Sequence, residues 1–214
     1  MTKQERALKA VQILKERYPD AMCSLTYQEP YQLMIAVRLS AQCTDARVNI
    51  VTKPLFEKYP SLQSFADADL SELEEIVRPC GFYKNKAKSI KEASRMLLDV
   101  YHGILPDTME ELLKLPGVGR KTANLLLGDV YHKPAVVADT HFIRITGRLG
   151  LTAETDPHKV ESDLRPLLPP EESSDFCHRV VQFGRDTCQA RKPRCQDCPL
   201  GAFCPSKQAF SEKF

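Results

Sequence analysis

The sequence predicts an all-α protein, and three observations carry that expectation. Apolar residues recur at helical spacing, as in Ala123, Leu126, Leu127 and Val130 at i, i+3, i+4 and i+7. Strand patterns are nearly absent: only "PAVVADT" at 134–140 looks extended, and it is too short to found a sheet. Short turns are punctuated by Pro and Gly, so about ten helices are expected.

The 214 residues suffice for one large or two small domains, and 43% apolar with 27% charged residues describes an ordinary soluble protein. No apolar run approaches the roughly 18 residues that span a bilayer. The first stretch, "MTKQERALKAVQILKERYPD", reads as an amphipathic charged helix without a signal-peptide core, so a cytoplasmic protein with no membrane partner is expected. A net charge of +2 is too mild to argue nucleic-acid binding by itself. Its distribution is uneven. Residues 151–175 hold seven acids against two bases, and residues 178–207 hold six bases against two acids.

Taken in order, "DARVNIVTKPLF" at 45–56 reads as a helix that Asp45 could cap. In "DLSELEEIVRPCGF", Leu70, Leu73, Ile76 and Val77 mark a second apolar stripe. "LEEIVRPCGFYKNKAKSIKEASRML" and "EELLKLPGVGRKTANLLL" echo one another: helix, Pro/Gly turn, then a helix opening with basic residues. Either could grip a phosphate backbone. In the second, Thr108-x-x-Glu111 reads as a capping box for a helix over about 108–115 that Pro116 ends.

Gly117 and Gly119 then form a tight hairpin. Glycine leaves no Cβ, so backbone N–H groups and the next helix's positive end can approach an anion. The same pattern is also an ordinary helix–helix connection. Arg120 and Lys121 shift the balance, because cations in a first turn oppose the helix dipole and need another reason to be there. Arg120 adds charge beside a phosphate; Lys121 brings an amine, a nucleophile when uncharged. Further on, "ADTHFIRI" reads as a helix N-cap at Asp139.

Of eight cysteines, Cys23, Cys43, Cys80 and Cys177 are scattered and read as small buried thiols. Cys188, Cys195, Cys198 and Cys204 are spaced C-x6-C-x2-C-x5-C, a four-thiolate site for structural zinc or an iron–sulfur cluster. The loop between the first two, "QARKPR", carries Arg191, Lys192 and Arg194, which a metal scaffold would hold against DNA phosphates.

"LPGVGRKTAN", "VVADTH", the cysteine tail, "LSAQCTD" at 39–45, "GFYKNKA" at 81–87 and "ARKPRC" together resemble the endonuclease III family of DNA base-excision glycosylases and lyases. The likeness covers nearly the whole chain. It implies a helix-hairpin-helix DNA glycosylase fold of two α-helical domains with DNA bound in a cleft between them. One would be a six-helix domain over 22–133 containing the hairpin at 108–128; the other a cluster domain from 1–21 plus 134–214. It implies a 4Fe–4S cluster, Lys121 and Asp139 as the catalytic pair, and duplex DNA with an oxidised pyrimidine or abasic site as the partner of a monomeric, nucleoid-associated enzyme. Lys121 would expel the base and form a Schiff base, and β-elimination would nick the strand.

Within the likeness, Gln42 matches the residue that fills the hole left by the flipped base, and also reads as an exposed helix-end glutamine. Phe82 stands where an apolar wedge is expected, often Leu in relatives, and also reads as a core aromatic. Lys84 joins Gly117, Gly119 and Arg120 as a DNA contact. Asp45 and His141 are candidates for the lesion pocket, with helix capping and first-turn packing as their plainer roles. Ala138 replaces a frequent Val. A monofunctional adenine mismatch glycosylase would lack the amine of Lys121, and a non-catalytic cluster protein would need neither Lys121 nor Asp139.

Overall fold

Caps and prolines set the helix boundaries. A computed structural model describes residues 1–211. Its helices are α1 (Lys3–Arg17), α2 (Pro30–Ser40), α3 (Asp45–Lys58), α4 (Leu62–Asp67), α5 (Leu70–Val77), α6 (Tyr83–Asp99), α7 (Met109–Leu112), α8 (Arg120–Asp129), α9 (Thr140–Arg148), α10 (Pro157–Leu164), α11 (Ser173–Asp186) and α12 (Lys207–Ser211). Short 3₁₀ turns at Arg78–Cys80 and Pro170–Glu172 precede α6 and α11. The described residues are all-helical, without strands, and hold twelve α-helices where about ten were expected.

The chain divides into two units, Cys23–Tyr131 and Met1–Met22 with His132–Phe214. In the first, α2 is almost wholly buried, with Leu33, Ile35 and Leu39 in the core, and it packs on α3, α6 and α8. Burying each such side chain is worth roughly 1.5–3 kcal/mol. Against α6 lie α4 and α5, and Phe65 of α4 is ringed by Tyr31, Phe56 and Tyr59 at centroid distances of 5.2 to 6.3 Å.

In the second unit, α1 is closed by a complete capping box between Thr2 and Glu5 and buries Ala7, Ala10, Val11 and Leu14. That face packs on α11, as does α9, where Phe142 meets Phe176 edge-on at 6.1 Å. Buried Arg179 on α11 is held by Glu172 and by Asp175 at 3.0 Å.

Two local expectations are corrected. The helix expected over about 108–115 is a single turn, α7, followed by the tighter bonds Lys114 N–H to Glu111 C=O and Leu115 N–H to Leu112 C=O. Thr108 caps it through Glu111 N–H at 3.4 Å, but Glu111's carboxylate accepts from Lys114 and from the Tyr101 hydroxyl. The reciprocal half of the capping box is given up to those partners. Likewise Thr44, not Asp45, caps α3, and Asp45 accepts from the Ser24 hydroxyl.

Candidate active site

The hairpin is built on two unlike glycines. Gly117 has φ +80, and a Cβ there would lie 2.8 Å from Arg38 Nε and 2.9 Å from Ser89 Cβ and Oγ. Arg38 Nε donates to Ser89 Oγ at 2.7 Å, so α2 and α6 clamp the turn. Gly119 sits in extended backbone with open space where a Cβ would be, and caps α8 without any side-chain hydrogen bond. The first turn of α8 therefore presents N–H groups to which no side-chain cap donates an acceptor. Arg120 and Lys121 flank them, and Lys121 is exposed. The start of α6 is similar: Phe82 gives it no side-chain cap, and Lys84 is exposed in its first turn.

Gln42 lies just past the end of α2 and Phe82 just before α6; both are exposed and both have positive φ, 56 and 48. Phe82 is 66% exposed, which removes the core-aromatic reading. Asp45, half-buried, opens α3. All these residues belong to the unit Cys23–Tyr131.

The other unit carries Asp139. Residues 134–138 run without regular structure, with Ala135–Ala138 buried and two of their amides satisfied from α11: Ala135 N–H donates to Ser173 Oγ at 3.1 Å and Val137 N–H to Cys177 Sγ at 3.3 Å. This buried run delivers Asp139 to the start of α9, where Oδ1 accepts from Phe142 N–H at 2.7 Å. His141, one residue into the first turn, contacts Arg144 at 3.2 Å and packs so tightly on α11 that a Cβ at Gly184 would lie 2.5 Å from its Nδ1.

Cys188, Cys195, Cys198 and Cys204 line one pocket, together with Arg148, Phe183 and Leu200. Among the described residues, no three His, Cys, Asp or Glu side chains come close enough together to grip a single metal ion. The thiols face a shared space instead. Burial pushes the Cys198 thiol up to about 11, and its neighbours Cys188, Cys204 and Cys195 add to the shift because like charges repel. Cys195 and Cys204 are raised for the same two reasons. Arg191, Lys192 and Arg194 are exposed on the intervening loop, with the Arg194 guanidinium donating to Asp186 C=O.

The family model described as HhH-GPD superfamily base excision DNA repair protein matches residues 35–170. Endonuclease III of Synechocystis sp. is 48% identical over 97% of this chain and 95% of its own length. The chain belongs to the endonuclease III family. Endonuclease III of Bacillus subtilis is 43% identical over 92% of this chain and 91% of its own. A structure of a non-covalent endonuclease III–DNA complex superposes with a TM-score of 0.92 at 42% identity, covering 99% of both chains. A trapped endonuclease III–DNA covalent intermediate gives 0.91 at 43% identity over 98% of both.

Sequence reasoning passed over several side chains that build this endonuclease III scaffold. Arg38 braces the hairpin. Arg148, at the end of α9, donates to Gln189 C=O at 2.7 Å and Ala190 C=O at 2.8 Å, anchoring the start of the basic loop, while Arg144 donates to Cys188 C=O at 3.0 Å. Lys86 is 1% exposed inside a stretch that reads as basic surface. None of the four has a local sequence signature, because their partners are distant carbonyls and a distant hydroxyl.

Proposed function

We propose that this chain excises oxidised pyrimidines from duplex DNA and cleaves the strand at the resulting abasic site, using Lys121 as nucleophile. The observation that carries the reading is the exposed amine of Lys121 in the first turn of an uncapped hairpin helix, where helix N–H groups and Arg120 can receive the flanking phosphate. A relative caught as a covalent intermediate with DNA supports a protein nucleophile.

In this reading the damaged nucleotide is flipped out, Gln42 enters the vacated stack and Phe82 wedges beside it. The Lys121 amine attacks C1′, the C–N bond to the base breaks, and the base leaves with its electron pair and a proton. The ring opens to a Schiff base between Lys121 and the sugar. Loss of the C2′ proton then expels the 3′ phosphate by β-elimination. One oxygen of Asp139 holds the α9 cap, and the carboxylate stabilises positive charge at the sugar and takes the amine's proton. Asp45 and His141 would contact the flipped base.

Cys188, Cys195, Cys198 and Cys204 would hold a 4Fe–4S cluster, four thiols around one cavity suiting a multi-atom centre better than a lone ion. When bound, the cluster supplies cohesion to the loop bearing Arg191, Lys192 and Arg194. The unit Cys23–Tyr131 would then be the helix-hairpin-helix domain and the other the cluster domain, in a monomer acting on DNA in the cytoplasm. Among the described residues no helix is long and apolar enough to cross a membrane.

Borohydride trapping tests the nucleophile. The wild-type chain should become covalently linked to duplex containing an oxidised pyrimidine or abasic site, and Lys121→Gln should abolish the link while leaving the fold intact. Trapping of Lys121→Gln at the wild-type rate would assign the chemistry to another amine.

A further inference from the structure

Lys86 is the one described lysine that is fully buried, and its ammonium faces carbonyls rather than a carboxylate. Nζ donates to Leu39 C=O at 2.9 Å, Ala41 C=O at 2.8 Å and Cys80 C=O at 2.8 Å, which uses all three of its protons. The first two acceptors lie at the C-terminal end of α2 and the third ends the 3₁₀ turn Arg78–Cys80. Each is a helix end with an orphan carbonyl and negative dipole, so one cation satisfies both ends at once.

The location of those acceptors matters more than their number. Ala41 immediately precedes Gln42, and Cys80 stands two residues before Phe82. Lys86 also donates its backbone N–H to Phe82 C=O at 3.1 Å. Its own C=O accepts from the Ser89 hydroxyl at 3.0 Å, and Ser89 in turn accepts from Arg38 against the hairpin. Gln42 and Phe82 hold left-handed backbone, with φ of 56 and 48, as does Gly81 at φ 71. Side chains other than glycine rarely adopt that region without support from their surroundings.

We propose that Lys86 is a positioning residue for damage recognition: it ties the Gln42 and Phe82 loops together and presets both in the free protein, so that the DNA meets two side chains already in place. This rests on the assignment of Gln42 and Phe82 to the stack opened by base flipping. Preset loops spare binding the ordering cost that flexible ones would incur.

The test compares affinity for an undamaged duplex with affinity for the same duplex carrying a tetrahydrofuran abasic analogue. Lys86→Met, which keeps bulk and removes the donor from all three carbonyls, should lose on the order of tenfold of the preference for the analogue. Its affinity for undamaged duplex, carried by the hairpin and the basic loop, should hold. Added to Gln42→Ala/Phe82→Ala, Lys86→Met should change nothing further. Intact preference in Lys86→Met, or the same tenfold loss in the double-alanine background, overturns the proposal. If Gln42→Ala/Phe82→Ala alone keeps full preference, the assignment of those two side chains fails first and the proposal falls with it. Should Lys86→Met not fold, amide exchange on the wild-type chain decides: protection at 42–43 and 81–83 without DNA supports preset loops, and protection that arises only with the analogue duplex refutes them.

Discussion

Helices α8 and α9 each begin after a run of irregular chain, yet their first turns are finished in opposite ways. At α9 a carboxylate closes the end: Asp139 accepts from Phe142 N–H at 2.7 Å. At α8 the cap is Gly119, which has no side chain to offer the first turn an acceptor, and two cations stand where the helix dipole disfavours them. That arrangement forgoes a few tenths of a kcal/mol of capping and up to about 1 kcal/mol of dipole energy. Elsewhere the chain places arginines where the dipole welcomes them, as with Arg148 in the last turn of α9. An N-terminus without a side-chain cap suits the anion-binding role proposed above, whereas a closed one whose capping carboxylate is only half-buried can serve structure and chemistry together.

The sharpest way to separate those two uses is at Asp139. Asparagine caps as well as aspartate, so Asp139→Asn should keep stability and DNA binding and lose on the order of 10²–10⁴ in single-turnover rate. Asp139→Ala should lose the same rate and, in thermal melts, roughly 0.5–2 kcal/mol of stability as well. Equal rates for Asp139→Asn and wild type would leave α9 with a cap and nothing more. A smaller effect is expected at the other cationic surface. Arg191→Glu should weaken binding to damaged and undamaged duplex alike and flatten the dependence of log affinity on log salt by about one unit, with lesion preference retained. A loss confined to damaged DNA would make the loop a reader of lesions. Smallest in energy is Gly119→Asp, which has room for its side chain and an extended backbone to hold it. It should close α8, raising stability by roughly 0.3–1 kcal/mol while weakening duplex binding. A gain in stability with duplex affinity unchanged would break the contrast between the two helix ends.

Much of this contrast was readable in the sequence. Pro116, Gly117 and Gly119 locate the hairpin, and the residues after Gly119 enter the helix as expected, with Arg120 and Lys121 in its first turn. Asp139 caps α9 as its surroundings in "ADTHFIRI" imply. What escaped were choices made by residues distant in sequence or by rival neighbours. Glu111 could have completed a capping box but is claimed by Lys114 and Tyr101, and Thr44 outcompeted Asp45 for the end of α3. Lys86 reads as one more surface cation because the carbonyls that bury it at α2 come from 45 and 47 residues earlier. The left-handed backbone at Gln42 and Phe82 is equally silent in sequence, since neither residue type favours it.

The unit made of Met1–Met22 and His132–Phe214 is assembled from two separated stretches, with the other unit encoded between them. During synthesis α1 leaves the ribosome well before α11, with Ala7, Ala10, Val11 and Leu14 bare while the surface that covers them has yet to be translated. At roughly 5–20 residues per second that wait is on the order of ten seconds. The intervening unit has all its own partners in hand well before then. The middle unit can therefore close on itself before the flanking one, and the apolar stripe of α1 stays exposed until α11 emerges.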